Sequence, residues 1–174
     1  MFAPLGFVFF LSARVMKMSY SAGQLSFWLF SALMGLSLST IFVVYTGASI
    51  ANAFFTTAVA FGAMSLFGYT TKKDLSGMGR FLFMGVIGLI VAMIINWFTQ
   101  SPGLEFAINV LGVLIFAGLT AYDTQNIKNT YLSIRNAPNG EEIAAKAGIL
   151  GALSLYINFL NMFMFLLQFM GNRE

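Results

Sequence analysis

The sequence predicts an all-α fold, a polytopic transmembrane helical bundle, from three observations. Charged residues make up only 9% of the 174 residues, where soluble domains carry roughly 25%. Apolar residues make up 59%, more than a soluble fold of this size can bury. The apolar runs last about 20 residues without the alternation of barrel strands, so helices must satisfy their backbone in lipid. Six such spans fill residues 1–174 as a single domain.

The first apolar run covers residues 1–13 and reaches about 20 Å, short of the roughly 30 Å hydrocarbon core. A signal peptide is the alternative, but no positively charged segment precedes the run and no small-x-small site follows it. We interpret it as a span whose upstream part is missing. The other five predicted spans are residues 24–46, 49–69, 81–99, 104–128 and 147–170.

The charged side chains predict how the bundle is oriented. Eight of the nine basic residues lie beside the loops after spans one, three and five: Arg14, Lys17, Lys72, Lys73, Arg80, Lys128, Arg135 and Lys146. Because cytoplasmic loops carry the excess of Lys and Arg, these loops are predicted to be cytoplasmic and the C-terminus outside. Span one then starts outside, and one more helix before Met1 would give an ordinary cytoplasmic N-terminus. The charge pattern therefore suggests a parent with seven spans.

The composition also excludes several kinds of chemistry. The chain has no His and no Cys, which excludes Cys/His zinc sites, His-ligated haem, thiol catalysis and His-based triads. The net charge of +3 comes from residues beside the apolar runs and indicates topology, not a nucleic-acid surface. We expect no enzyme activity and no cofactor.

Polar side chains form one stripe on each of the last two spans. On span five the stripe consists of residues at intervals of four and three, with Gly112 and Phe116 between the polar ones: Glu105, Asn109, Gly112, Phe116, Thr120 and Asp123. Span six places Ser154, Asn158, Asn161 and Gln168 on one face. The two antiparallel spans border the same loop, so their stripes are predicted to face each other across a cavity. Asp123 would mark a site, because carboxylates within a membrane are costly; the alternative is an interfacial acid paired with Lys128 or Arg14.

The stripes on spans two, three and four favour helix packing, because small residues at four-residue spacing let membrane helices approach each other. Their members are Ser31, Gly35 and Ser39, then Asn52, Thr56, Ala60 and Ala63, then Gly85, Gly88, Ala92 and Asn96. Gly88 is therefore predicted to lie at a helix contact.

Four stretches of the sequence resemble one known family. They are LMGLSLSTIFVVYTGASI (33–50), GYTTKKDLSGMG (68–79), FAGLTAYDTQNIK (116–128) and GALSLYINFLNMFMFLLQFMG (151–171). Together they resemble the Bax inhibitor-1 family, also called the transmembrane Bax inhibitor motif-containing family, in its bacterial branch. The resemblance implies a seven-helix fold here shortened at the N-terminus, a pH-sensitive calcium leak and residence in the inner membrane. It also implies links of bacterial members to a membrane protease and of eukaryotic members to suppression of cell death.

The resemblance also assigns roles to individual residues. The family gates its pore with two aspartates in the last two spans; the first matches Asp123, but Asn158 stands where the second is expected. Arg14 is the expected counter-ion. The facing polar stripes, and not the resemblance, make Thr120, Ser154 and Asn161 the expected residues that line the cavity. An Asp–Asn pair keeps a hydrogen bond and loses one charged oxygen, so a weakened calcium site on Asp123 and Asn158 is the implied metal site.

Two functions follow as hypotheses. The first is a calcium-leak channel gated at Asp123. The second is a non-conducting partner that regulates a membrane protease or a stress response. The residue Asn158 and the missing helix favour this second hypothesis. The predicted partners are the lipid bilayer, calcium or protons and a membrane protease, and no nucleic acid. An intramembrane aspartyl protease would need two membrane Asp residues, and only Asp123 qualifies.

Overall fold

A computed structural model describes residues 17–172, and within them the chain folds into helices joined by short turns. The helices are α1 (Tyr20–Leu38), the single-turn α2 (Ile41–Val44), α3 (Gly47–Thr70), α4 (Ser76–Thr99), α5 (Pro102–Ile134) and α6 (Gly140–Met170). Counting α1 and α2 as one segment, five helical segments of this part are long and apolar enough to cross a membrane. A helical membrane bundle is thereby confirmed, while the predicted span 1–13 and Arg14 lie outside the described residues.

The last two membrane helices extend beyond the predicted spans. The polar stretch 129–146 is helical except for a turn at residues 135–139, because α5 runs to Ile134 and α6 begins at Gly140. At 1.5 Å per residue the 33 residues of α5 measure about 50 Å, against a hydrocarbon core of about 30 Å. Hydropathy identifies the part of a helix that lies in lipid, and a helix continues past it wherever its backbone hydrogen bonds remain favourable.

The antiparallel pair α5 and α6 forms the centre of the bundle. α3 and α4 pack against α5, while α1 and α3 pack against α6. One buried cluster joins α4, α5 and α6 through Leu89, Phe116, Met162 and Phe165. A second joins α1 to α6, and a third joins α2 and α3 to α6. The outer faces carry exposed Phe, Ile, Leu and Trp side chains, as lipid-facing helices do.

Three glycines fix close contacts with α5. A Cβ on Gly68 of α3 would lie 2.8 Å from the Cα of Ala121. A Cβ on Gly79 of α4 would lie 2.6 Å from the ring of Tyr122. A Cβ on Gly85 of α4 would lie 2.9 Å from Ile115. Small residues thus allow α5 to be approached from two sides.

The predicted packing face of α4 is wrong at Gly88. Gly88 is exposed, and no described atom lies within 4 Å of a Cβ built on it. The predicted face of α3 is right only at Ala60, which packs against the buried cluster of α4, α5 and α6. Asn52, Thr56 and Ala63 are exposed, and the buried residues Ser49, Ala53 and Thr57 form a neighbouring face of the helix. Likewise Gly35 and Ser39, which were predicted to pack, are exposed.

Candidate functional site

Asp123 and Asn158 meet between the two central helices. Asn158 is only 4% exposed, and its Nδ2 donates a hydrogen bond of 2.7 Å to the Oδ2 of Asp123. Asp123 is half-buried. The polar stripes predicted for α5 and α6 therefore face each other at this pair, and the amide supplies a neutral donor to the carboxylate.

Two glycines hold α5 and α6 close on either side of the pair. A Cβ on Gly112 of α5 would lie 2.6 Å from the ring of Phe165, and a Cβ on Gly151 of α6 would lie 2.6 Å from Ile127. Along α5, Asp123 lies between Gly112 and Ile127. The two helices are therefore in tight contact on both sides of the hydrogen bond. This close approach lets the short Asp and Asn side chains reach each other.

Two cavities meet at the pair. The first, the basic-end cavity, has a volume of about 700 Å³ and lies between α5 and α6 at the end that carries Lys128 and Arg135. The second, the inner cavity, has a volume of about 420 Å³ and lies between α4, α5 and α6. Asp123 and Ser154 line both cavities, and Asn158 lines the inner one. The Asp123–Asn158 pair thus stands where the two cavities adjoin.

The other predicted site residues have different positions. Ser154 and Asn161 line the inner cavity, and the Nδ2 of Asn161 donates to the Ile157 carbonyl at 2.9 Å. Thr120 is fully buried and donates to the Phe116 carbonyl at 2.8 Å, so it belongs to the helix contact and does not line either cavity. Arg14 lies outside the described residues.

The charges around the pair limit how a cation could be held. Within residues 17–172 no three His, Cys, Asp or Glu side chains cluster as metal ligands. A calcium ion here would therefore depend on the single carboxylate of Asp123, with neutral oxygens from amides, hydroxyls or water. Calcium prefers six to eight oxygens, several of them charged, so such a site would hold calcium only weakly.

Lys128 ties the end of α3 to α5 near the site, and Gln125 ties the following loop to it. The Nζ of Lys128 donates to the Tyr69 carbonyl at 2.7 Å and lies 4.9 Å from the centre of the Tyr69 ring. The side-chain amide of Gln125 donates to the Lys73 carbonyl at 2.8 Å and accepts from the Leu75 N–H at 2.9 Å. Sequence reasoning missed Gln125; a Gln within an apolar run, two positions from Asp123, indicated a partner without identifying it.

These contacts place the basic loops at one end of the bundle. The 71–75 loop is bonded to α5 beside Lys128, and Arg135 directly follows the last residue of the same helix. At the other end, the backbone N–H of Asn172 donates to the hydroxyl of Ser49 at 3.0 Å. Two of the three loops predicted to be cytoplasmic, those after spans three and five, thus share one end with the basic-end cavity.

The sequence also matches a known family model over its whole length. Residues 1–174 match the model described as "Inhibitor of apoptosis-promoting Bax1". The chain belongs to the Bax inhibitor-1 family. Together with its membrane-spanning helices, membership of the Bax inhibitor-1 family makes it an integral membrane protein.

Bacterial members of the Bax inhibitor-1 family align with most of the chain. The inner membrane protein YbhL of Escherichia coli strain K12 is 49% identical over 174 residues, covering 99% of this chain and 73% of YbhL. Protein RP147 of Rickettsia prowazekii is 44% identical over 174 residues, covering 100% of this chain and 72% of that protein. A protein of Caulobacter vibrioides is 58% identical over 155 residues, covering 88% of this chain and 60% of that protein. The chain thus spans between 60% and 73% of the length of these three relatives.

Proposed function

We propose that the protein provides a leak pathway for calcium across the membrane and that protonation of Asp123 controls the flux. The observation that carries the proposal is the position of Asp123 between the two cavities, hydrogen-bonded to Asn158 at 2.7 Å. A cation moving from one cavity to the other would pass this carboxylate. Calcium is the transported substrate in this proposal, not a resident cofactor.

Protonation of Asp123 would change two properties of the constriction together. It removes the negative charge that attracts a cation. It also weakens the bond from Asn158, because a hydrogen bond to an ionised carboxylate is about twice as strong as one to a neutral acid. With an amide at Asn158, the pair binds one proton, so the pH dependence follows a single-site titration.

The direction of the pathway follows from the charge distribution. We place the protein in the bacterial inner membrane, where its relative YbhL resides, with the basic loops in the cytoplasm and the C-terminus outside. The basic-end cavity then opens toward the cytoplasm. We also propose that the chain catalyses no reaction, since the site holds a carboxylate and an amide without a nucleophile–base pair.

A second function is favoured by one observation, the amide of Asn158. A donor amide closes the contact with Asp123 without the repulsion that two carboxylates would create. A permanently closed contact would make the protein a non-conducting regulator, for example of a membrane protease. Transport measurements separate the two functions.

The test is calcium flux into liposomes that contain the purified protein, measured across pH. The parent should conduct with a pH-dependent rate, and Asp123→Asn should lose the pH dependence because the amide does not titrate. The control is Asp74→Asn, which removes an exposed carboxylate at the same end of the bundle outside both cavities. If Asp123→Asn keeps the parent's pH profile, Asp123 is not the sensor. If the parent does not conduct calcium, the result favours the non-conducting regulator.

A further inference from the structure

We propose that the basic-end cavity binds one anionic phospholipid, with the lipid phosphate at Lys128 and Arg135 and part of an acyl chain along α6. The inference rests on the charge, the apolar wall and the depth of this cavity. Its volume of about 700 Å³ lies within the range of about 300–1,000 Å³ that is typical of ligand sites. The inference does not rest on calcium conduction, and a lipid bound here would narrow the cytoplasmic side of the cation pathway proposed above.

The lining of the cavity carries two cations, Lys128 and Arg135, and one carboxylate, Asp123 at its inner end. Lys128 and Arg135 both line the cavity, and two turns of α5, about 10 Å, separate them. The ammonium of Lys128 is fixed by the Tyr69 carbonyl at 2.7 Å and by the Tyr69 ring, and a lysine ammonium has two further N–H donors. The nearby Lys146 is instead paired with Glu142 at 2.8 Å and does not line the cavity.

The opposite wall of the cavity is an apolar groove on α6. Four small residues form it: Ala144, Ala147, Gly148 and Gly151. No described atom lies within 4 Å of a Cβ built on Gly148, whereas one on Gly151 would overlap with Ile127. The groove is therefore open at Gly148 and narrows at Gly151. Small residues beside leucines suit a flexible hydrocarbon chain.

The depth of Lys128 matches the layer of lipid headgroups, and Arg135 lies about 10 Å further along the chain on the aqueous side, from where its long side chain can extend back toward a lipid phosphate. The apolar part of α5 from Leu104 to Thr124 spans about 30 Å, the thickness of the hydrocarbon core. Lys128 lies one turn further, about 6 Å, within the headgroup layer. Tyr69 and Tyr131 flank it and are exposed, as tyrosines at this level commonly are. Basic pockets between membrane helices on the cytoplasmic side bind acidic headgroups.

Charge complementarity selects an anionic lipid over a zwitterionic one. Each Lys or Arg near the surface contributes about a fivefold preference for anionic lipid, which corresponds to about 1 kcal/mol. Two cations, opposed by the one carboxylate of Asp123, should give a preference between about fivefold and about 25-fold for phosphatidylglycerol over phosphatidylcholine with the same acyl chains. The acyl groove adds affinity for both lipids equally.

The experiment is lipid binding to the purified full chain, measured by native mass spectrometry with each lipid in turn. The double variant Lys128→Gln/Arg135→Gln should lose the preference for phosphatidylglycerol. The matched control Lys72→Gln/Lys73→Gln removes the same charge from exposed loop positions outside the cavity and should keep the preference. Circular dichroism verifies that each variant retains the helical content of the parent.

A second pair of variants tests the groove without changing charge. Gly148→Leu should fill the groove and weaken the binding of both lipids several-fold, while Gly88→Leu on exposed α4 should leave binding unchanged. Equal affinity for both lipids, or an equal loss in the loop control, would overturn the proposal. Displacement of the lipid by millimolar inorganic phosphate would also overturn it, because the site would then recognise phosphate alone.

Discussion

Replacing Gly68 by Ala should separate α3 from α5 and destabilise the bundle. The added Cβ would lie 2.8 Å from the Cα of Ala121 and would overlap its carbonyl oxygen, whereas carbon atoms pack best at about 3.5–4.0 Å. The helices must therefore move apart by about 1 Å. The obstacle is backbone and not a flexible side chain, so no rotamer change relieves it. Overpacking of this kind lowers the free energy of unfolding by about 1–3 kcal/mol.

The assay is thermal unfolding in detergent, followed by the retention of a monodisperse peak. For a chain of this length each 1 kcal/mol corresponds to about 2–4 °C in Tm, so Gly68→Ala should unfold several degrees below the parent. Gly62→Ala is the control on the same helix, where no described atom lies within 4 Å of the new Cβ. It should match the parent or exceed it, since Ala favours helix over Gly by about 1 kcal/mol. Equal unfolding temperatures for the two variants would refute the contact.

Two further predictions concern the basic end of the bundle. Gln125→Ala should lower the free energy of unfolding by about 1–3 kcal/mol and speed tryptic cleavage in the 71–75 loop, because it removes the side chain that holds two backbone groups there. The control Asn126→Ala, at an exposed position, should have neither effect. Ser76→Cys and Ser133→Cys, each placed in a chain without native Cys, should resist an impermeant thiol reagent added outside intact cells; labelling of either from outside would contradict the proposed orientation.

The contact between Asp123 and Asn158 was predictable from sequence spacing. A polar residue in an apolar helix must face protein or water, so two polar stripes on antiparallel helices are expected to meet. The stripe of α5 is buried at Asn109, Gly112, Phe116 and Thr120, as the spacing predicts. The role of the pair in transport stays a prediction.

The faces of α3 and α4 could not be predicted in the same way. In these helices both the lipid-facing and the protein-facing sides are apolar, so glycine or alanine at four-residue spacing does not tell which side is packed. Gly88 and Gly85 are three residues apart, yet only Gly85 touches α5. The contact depends on which helices are neighbours, and that is a property of the whole bundle.

The bonds made by Gln125 were also beyond the reach of local patterns. Its partners Lys73 and Leu75 lie 52 and 50 positions away in the chain. The sequence shows a polar residue within an apolar span, which indicates a partner without identifying it. The length of α5 was underestimated for a related reason, since the residues after Lys128 are polar but remain helical.

The central claim is that one titrating group, Asp123, sets the pH response at its contact with Asn158. The most direct measurement is calcium flux in liposomes across pH for the parent and for Asn158→Asp. The parent should follow a single-proton curve, and the variant should titrate in two steps spread over a wider pH range and bind divalent cations more strongly, because two carboxylates at hydrogen-bond distance repel each other and titrate as a coupled pair. Identical curves of equal steepness for the two proteins would contradict the account.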